Sequence, residues 1–253
     1  MLVEVVPDAE AVAGRGAAIV AAQVTCKPDC VLGFATGSTP LGVYERLIEI
    51  HRQEGLSFSQ ATTFNLDEYV GLSPSHEQSY HHFMWSRLFD HLDVDRARVY
   101  IPSGMAEDPE EFCAWYERRI ADAGGIDLQI LGIGTNGHLA FNEPGSSLGS
   151  RTRVKPLTRK TVHDNARFFE YEDQVPRSAI TMGIGTIMEA RKLLLLATGA
   201  TKAEGIRATL EGPITAMVPA TIVQLHPHAH VLVDEAAASE LAYRHHDGIA
   251  EPI

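Results

Sequence analysis

Short apolar runs alternate with amphipathic stretches along almost the whole chain. Several of the runs are continuously apolar, which is typical of parallel strands that are buried on both faces of a sheet. The predicted strands are Leu2–Val6, Val31–Ala35, Thr62–Leu66, Arg98–Ile101, Ile126–Leu131, Leu193–Thr198 and His230–Val233.

Amphipathic stretches between these runs predict helices. The predicted helices are Asp8–Val24, a helix that starts at Thr39-Pro40, Ser79–Leu92, Pro109–Ala123 and Thr201–Leu210. Thr39 is expected to cap its helix, and Pro40 suits the first helical position. Because strands separated by helices of this length require right-handed crossovers, we expect one α/β domain over residues 1–253. Its sheet is predicted to be open, doubly wound and mostly parallel, with helices on both faces.

Composition and charge narrow the classes of function. The chain has 253 residues, of which 45% are apolar, and its 33 acidic and 21 basic residues give a formal charge of −12. Such an acidic chain is not expected to bind nucleic acid or an anionic membrane surface. It has no apolar stretch of the roughly 18–20 residues that a spanning helix needs, no recognisable secretory signal, and only three cysteines. We therefore expect a cytoplasmic protein.

One segment departs from this acidic average. Residues 151–167 contain six basic side chains and a single acidic one, Asp164. The segment is either a solvated basic face or a local site for an anion. Composition alone does not distinguish these two interpretations.

A small, hydroxyl-rich loop follows the second predicted strand and leads into a helix. Backbone N–H groups at Gly37, Ser38 and Thr39, together with two hydroxyl groups, could bind an anion at the helix N-terminus. The loop lacks the Gly-Lys-Ser/Thr ending of a nucleotide P-loop. An ordinary capped turn has the same spacing, so this motif alone does not establish a binding site.

Two carboxylates, Asp67 and Glu68, stand at the end of the third predicted strand. If the strand continues to this point, the two side chains point to opposite sides, so that one can face a cleft. A carboxylate in a closed pocket can act as a general base, because desolvation raises its pKa. Surface acids in a turn remain the alternative.

A glycine-rich turn follows the fifth predicted strand. Its glycines match the dinucleotide pattern GxGxxG, at Gly132, Gly134 and Gly137. A nicotinamide site is not predicted, because Pro144-Gly145 interrupts the helix that should follow and position 157 is leucine rather than an acid. What remains is a turn that presents His138 with Glu143 nearby, a pair suited to proton transfer near neutral pH.

Taken together, these motifs resemble the glucosamine-6-phosphate deaminase family over nearly the whole chain. Each motif is weak alone, but the combination is specific. The matching segments are 36–40, 64–69, 137–144, 150–155, 165–169, 199–203 and 225–227.

The resemblance implies a reaction and a set of roles. The family converts D-glucosamine 6-phosphate and water to D-fructose 6-phosphate and ammonia without a cofactor. Asp67 matches the base that moves a proton from C2 to C1, and His138 matches the histidine that opens the sugar ring. Glu143 matches the carboxylate that orients His138, and Arg167 and Lys202 match the phosphate-binding cations, beside the Gly37–Thr39 loop.

Asn136 is a departure, because many members of the family have aspartate at this position. Asparagine can orient His138 by a hydrogen bond but adds no negative charge.

A second departure concerns an effector site of some hexameric members. Its matching residues are Ser146, Ser147, Arg153 and Lys155, but the chain ends shortly after His245, so weak or absent activation is expected.

Three alternatives remain. A 6-phosphogluconolactonase would share the fold but would not need a base at Asp67, and a galactosamine-6-phosphate deaminase would differ in its substrate only at C4. A non-catalytic sugar-phosphate sensor would not need the pair Asp67 and His138.

No metal is predicted, since Pro227 interrupts the alternating histidines at 226–230. The expected partner is a small sugar phosphate, and the chain is expected to be a monomer or a homo-oligomer.

Overall fold

The computed structural model describes residues 1–158, 162, 166, 169, 171, 174–246 and 249–252, the side chains of residues 244–252 excepted. Most of these residues belong to a seven-stranded sheet with helices on both faces. The strands of that sheet are β1 (Leu2–Val6), β2 (Val31–Phe34), β3 (Thr62–Asn65), β5 (Val99–Tyr100), β6 (Leu128–Gly132), β9 (Leu193–Ala197) and β10 (Ala229–Asp234).

Every pair of neighbouring strands in this sheet is parallel, and the strand order is β1-β10-β9-β6-β2-β3-β5. All seven strands predicted from the sequence are present, with ends that differ by up to two residues. The predicted fold class is therefore confirmed. Five consecutive buried residues in β9 illustrate why the apolar runs are continuous: helices cover both of its faces.

Six helices of at least five residues pack against the sheet in the described part of the chain. They are α1 (Ala9–Cys26), α2 (Ser38–Glu54), α3 (Tyr80–Arg87), α4 (Pro109–Asp122), α5 (Ile184–Met188) and α6 (Ala203–Glu211). These six are α-helices; 3-10 helices lie at Phe89–His91, Arg96–Arg98, Ala200–Lys202 and Pro219–Leu225. The first three helices enclose one apolar core with one face of the sheet, and the last three enclose another with the opposite face.

The start of α2 differs from its prediction. Gly37, not Thr39, is the N-cap, and its φ of +110° lies in a region that glycine adopts without steric cost. The helix therefore begins at Ser38, and Pro40 is its third residue. The cap residue uses no side chain, so the first N–H groups of the helix stay available to a ligand.

A small antiparallel sheet was not predicted. It consists of β4 (Asp67–Tyr69), β8 (Ser178–Thr181) and β7 (Arg153–Pro156), in the order β4-β8-β7. A hairpin of β11 (Tyr243–His246) and β12 (Ile249–Pro252) lies outside both sheets. The strands of the small sheet are three or four residues long, too short for a hydrophobic pattern to show in the sequence.

The strand order places a switch point between β2 and β6. From β2 the chain proceeds outward through β3 to β5, then returns to the other side of β2 at β6 and proceeds outward again. The loops after two such strands diverge, which leaves a crevice at the carboxyl end of the sheet. Among the described residues, no helix is both long enough and apolar enough to cross a lipid bilayer.

Candidate active site

A cleft of about 580 Å³ opens at this switch point. The loops that follow β2 and β6 form two of its walls, and the chain after β3 and the start of α6 complete it. The cleft brings together the predicted site residues that the structure describes: Gly37, Ser38, Thr39, Asp67, Asn136, His138, Glu143 and Lys202. Arg167, the remaining predicted residue, lies outside the described residues.

The loop after β2 supplies an anion-binding wall. Gly37 and Ser38 are exposed at the N-terminus of α2, a helix of 17 residues, where unpaired N–H groups and the helix dipole favour a negative charge. Beneath the loop, the hydroxyl group of Tyr44 donates a hydrogen bond to the carbonyl oxygen of Ala35. This buried bond holds the end of β2 against the helix that follows it.

Lys202 lies on the opposite side of the loop, at the end of the 3-10 helix that precedes α6. Its side chain lines the cleft and is half-buried, and burial lowers the pKa of its ammonium group. A partly desolvated ammonium group and the unpaired N–H groups at the start of α2 both line the cleft and give it a positive contribution to its potential. That potential suits a phosphate group, although the protein as a whole is acidic.

Asp67 is the first residue of β4 and lines the cleft with a carboxylate that is only 6% exposed. Burial, and to a smaller extent the charge of the adjacent Glu68, raises the pKa of Asp67 to about 8. None of the described residues donates a hydrogen bond to the Asp67 carboxylate that would offset this effect. The group is therefore poised to take up and release a proton near neutral pH.

Glu68 points away from the cleft, as the alternation of a strand requires. It accepts hydrogen bonds of 2.9 Å from the backbone N–H groups of Tyr69, Tyr80 and His81. Because the two carboxylates are buried, the alternative of surface acids in a turn is wrong. The sequence allowed one carboxylate to face the cleft if the third strand continued. In the structure that strand ends at Asn65, and the two carboxylates are divided by the alternation of β4, with Asp67 in the cleft and Glu68 paired to backbone N–H groups.

His138 reaches the cleft through the glycine-rich turn after β6. The turn is closed by hydrogen bonds from the N–H of Gly134 to the His138 carbonyl oxygen and from the N–H of Gly137 to the Gly134 carbonyl oxygen. Gly137 has a φ of +77°, and the imidazole ring occupies the space that a side chain at Gly134 would need. The glycines therefore serve the placement of the histidine, and no helix follows that could hold a dinucleotide.

Asn136 connects His138 to Glu143. The Nδ1 atom of His138 lies 2.8 Å from the Oδ1 atom of Asn136, while the Nδ2 group of Asn136 donates a 3.0 Å hydrogen bond to Glu143. Since an amide oxygen can only accept, Nδ1 of the neutral ring carries the proton and Nε2 is left as the proton acceptor. Glu143 also lies 3.6 Å from Nδ1, so its charge acts on the ring at close range.

Tyr80, the first residue of α3, also lines the cleft, and sequence analysis missed it. Its ring stacks against Phe141, which lines the cleft as well, and its hydroxyl group hydrogen-bonds to that of Tyr69. The tyrosine follows a serine cap in a helix with an ordinary apolar pattern. No signal in the sequence distinguishes it from a packing residue.

The basic segment divides into different roles within its described part. Arg151 forms ion pairs with Glu117 and Glu189, so it is a structural residue. Arg153, in β7, donates a 2.9 Å hydrogen bond to the buried side chain of Asn142. Neither arginine lines the cleft. Both bind other side chains of the protein, so neither of them belongs to an anion site in the cleft.

The histidines of the segment 226–230 have partners of other kinds. His226 is buried and hydrogen-bonds to the carbonyl oxygen of Ala190, and His230 pairs with Glu4. Across the described residues, no three histidine, cysteine or acidic side chains are grouped as a metal site requires.

Fold and cleft together define a class: an α/β enzyme with a cleft of ionisable side chains at the switch point of a parallel sheet. The comparison with protein families agrees with this class. Residues 8–233 match the model of the family described as glucosamine-6-phosphate isomerases/6-phosphogluconolactonase. The chain belongs to this family, which confirms the relationship that the sequence motifs indicated.

Individual relatives fall within the same family. A glucosamine-6-phosphate deaminase of Cellvibrio japonicus is 54% identical over 249 residues, which cover 97% of this chain and 95% of the relative. The solved structure of a monomeric glucosamine-6-phosphate deaminase is 47% identical, with a TM-score of 0.92, and covers 95% of this chain and 100% of its own. A 6-phosphogluconolactonase of Trypanosoma brucei has a TM-score of 0.75 at 18% identity over 95% of this chain and 98% of its own, a likeness of fold alone.

Proposed function

We propose that the chain catalyses the deamination and isomerisation of D-glucosamine 6-phosphate to D-fructose 6-phosphate. The observation that carries the proposal is the presence, in one cleft, of a desolvated carboxylate at Asp67 and an oriented histidine at His138, beside a positive pocket at Lys202. Relatives about half identical to the chain over nearly its whole length are glucosamine-6-phosphate deaminases, which supports the same substrate.

The phosphate group of the substrate is assigned to the positive end of the cleft. N–H groups and hydroxyl groups of Ser38 and Thr39 would bind its oxygens, and Lys202 would neutralise its charge. Arg167 is proposed as a second cation from its match to the family motif. Holding the phosphate fixes the other end of the sugar near Asp67 and His138.

Ring opening is assigned to His138. The pyranose form opens when the O1 hydroxyl group loses its proton and O5 gains one, which breaks the C1–O5 bond and forms the C1 carbonyl group. The Nε2 atom of His138 can perform both transfers, because Asn136 holds the tautomer in which Nε2 is the acceptor. Glu143 stabilises the ring while it carries the extra proton.

Isomerisation and deamination follow on the open chain. Asp67 removes the proton from C2, the electron pair forms an enolamine between C1 and C2, and the same carboxyl group returns the proton to C1. The nitrogen at C2 is then part of an imine, which water hydrolyses to the C2 ketone and ammonia. One water is consumed and one ammonia is released, and no electrons are gained or lost overall, so the reaction needs no cofactor.

A lactonase is the second candidate within the family. Hydrolysis of a lactone needs a base for water but none for a carbon-bound proton. A carboxylate whose pKa burial raises to about 8 at Asp67 matches the stronger base that a C–H bond requires. We therefore favour the deaminase over the lactonase, in amino-sugar breakdown in the cytoplasm.

The deciding experiment measures three substrates side by side. Ammonia release is followed with glucosamine 6-phosphate and galactosamine 6-phosphate, and acid release with 6-phosphogluconolactone. The proposal expects rapid ammonia release from the first, with loss of that activity in the Asp67→Asn variant. Preferred turnover of either other compound would overturn the assignment of substrate, and binding of sugar phosphates without turnover would favour the sensor.

A further inference from the structure

Glu68 is a buried carboxylate that the proposed chemistry does not use. It is only 1% exposed, and no cation among the described residues pairs with it. Instead it accepts three backbone N–H groups, two of which belong to the first turn of α3. A carboxylate with three N–H donors at a helix N-terminus is stabilised in its charged form, although burial acts in the opposite direction.

Asp67 is the nearest charged neighbour of this group and has the opposite surroundings. It has no N–H donor among the described residues, and it shares the same buried region of β4. When two carboxylates lie this close, the member with fewer donors takes up the proton first, because the charge of the other disfavours its ionisation. Burial raises the pKa of Glu68 to about 7 and that of Asp67 to about 8, and the three N–H donors of Glu68 act against its rise. Glu68 therefore loses its proton at lower pH than Asp67.

The groups around the pair do not offset this effect. In the described part of the chain, the titratable side chains whose charge couples to the pair are four tyrosines. They are Tyr44 of α2, Tyr69 of β4, Tyr80 of α3 and Tyr116 of α4. Burial raises the pKa of each of these phenols, so they are neutral near pH 7. His138, Glu143 and Lys202 line the same cleft as Asp67, but the charge that raises the pKa of Asp67 is that of Glu68.

Glu68 also joins the base to another wall of the cleft. Its Oε1 atom accepts the backbone N–H of Tyr80, whose ring lines the cleft and stacks on Phe141. The same carboxylate therefore fixes the strand that carries Asp67 and the start of the helix that carries Tyr80. Loss of its contacts would loosen both surfaces that face the sugar.

We propose that Glu68 is a positioning residue for the reaction, which acts on Asp67 through its fixed negative charge and anchors Tyr80 through the start of α3. The inference rests on the proposed function, in which Asp67 is the base at C2. Without the charge of Glu68, Asp67 would be ionised at lower pH but would be a weaker base. A purely structural residue would affect stability without changing that titration.

The test is a titration of the Asp67 carboxyl group by carbon-13 NMR in the absence of substrate. The resonance is assigned by its loss in Asp67→Asn. In Glu68→Gln, the midpoint of Asp67 should fall by about one pH unit or more relative to the native chain. In Glu68→Asp, which keeps the charge, the midpoint should stay closer to the native value.

Asp127→Asn is the matched control. Asp127 is another buried carboxylate that accepts a backbone N–H, but it precedes β6 and so lies at the end of the sheet away from the cleft. Substitution of Asp127 by asparagine should leave the titration midpoint of the Asp67 carboxyl group unchanged. Equal midpoints in Glu68→Gln and the native chain would overturn the proposal, as would an equal shift in the control.

Two further readouts keep the inference testable. If Glu68→Gln does not fold, the same NMR titration of the native chain tests the proposal. Glu68 should lose its proton at lower pH than Asp67, and the reverse order would overturn the proposal. If the chain releases ammonia, the plateau of kcat should be severalfold lower in Glu68→Gln than in the native chain. Failure of ammonia release would contradict the proposed function. The NMR titration would still test the effect of the Glu68 charge on Asp67, because it needs no substrate.

Discussion

The Nδ1 atom of His138 lies 2.8 Å from the Oδ1 atom of Asn136, and the amide group of Asn136 extends the contact to Glu143. The family resemblance implied that Glu143 orients the histidine, and the sequence allowed Asn136 to contribute a hydrogen bond. In the structure Asn136 performs the direct hydrogen bonding, and Glu143 acts through the amide and through its charge at 3.6 Å. Orientation and charge are thus supplied by different side chains.

Glu143→Gln should move the acidic limb of the pH–rate profile to lower pH. Glu143 lies close enough to stabilise the positive charge that the His138 ring carries during the reaction, and the variant removes that stabilisation. The shift should be a few tenths of a unit to about one unit, because Glu143 is not the direct partner of Nδ1. An acidic limb that stays in place would contradict this role of Glu143.

Asn136→Asp provides the comparison of opposite sign. It places a carboxylate at the 2.8 Å contact with Nδ1, which adds stabilisation of the charged ring, so the acidic limb should move to higher pH. Measurement of kcat/KM across the same pH series for both variants tests the pair. If the acidic limbs of the two variants moved in the same direction, the charges at positions 136 and 143 would not act on His138 in the way that their distances from Nδ1 imply.

Asp67→Asn should abolish turnover but stabilise the fold at alkaline pH. General base catalysis contributes about 10²–10⁴-fold, so we expect a loss of at least that size in kcat. Burial raises the pKa of Asp67 from 3.8 to about 8, so the folded chain holds a proton that the unfolded chain releases within this window. The free energy of unfolding therefore falls as the pH rises through the window.

Thermal melts at two pH values test that sign. The gain in Tm of Asp67→Asn over the native chain should be larger at about pH 9 than at about pH 5, since asparagine has no charge to bury. A gain of about 1 kcal/mol corresponds to about 2–4 °C in a chain of this size. A variant that is less stable than the native chain at the higher pH would show that Asp67 is not desolvated.

Gly134→Ala should inactivate the protein without unfolding it. A methyl group at this position would overlap the imidazole ring of His138, and the ring is the part that can move. Displacement of a catalytic group by about 1 Å can cost about 10²-fold in rate. Turnover and a far-ultraviolet circular dichroism spectrum, measured on the same preparation, check the loss and the retained fold.

Gly14→Ala is the matched control for that substitution. Gly14 lies within α1, and a methyl group there would meet no atom within 4 Å. The variant should keep full activity and gain about 0.5–1 kcal/mol in stability, because alanine favours a helix over glycine. Equal activity in Gly134→Ala would show that the glycine does not serve the placement of His138.

Lys202→Gln should weaken binding of the phosphate more than it slows the chemistry. Loss of one charge-assisted hydrogen bond costs about 1.5–3 kcal/mol, which corresponds to a rise in KM of about 10–100-fold. Lys192→Gln is the control, since Lys192 precedes β9 at the far end of the sheet and bonds to Gln23. An unchanged KM in Lys202→Gln, or an equal rise in the control, would contradict the phosphate assignment.

Local patterns were sufficient for the elements of the main sheet. The apolar run of β9 and the amphipathic stretch of α1 predict their elements because burial patterns are properties of residues close together in the chain. The small sheet was missed because its three strands meet from positions near residues 68, 154 and 180. Pairing between such distant short segments leaves no local signal.

The sequence by itself determined the parallel sheet, the family and the loops that hold Asp67, His138 and Lys202, since apolar runs, glycine-rich turns and motif spacing can be read along the chain. Only the tertiary structure decided that Asn136 stands between His138 and Glu143, that Glu68 is anchored at α3, and that Tyr80 lines the cleft. The physical reason is that hydrogen-bond direction and desolvation depend on groups brought together by folding. These same two quantities set the protonation of the candidate base and of the histidine.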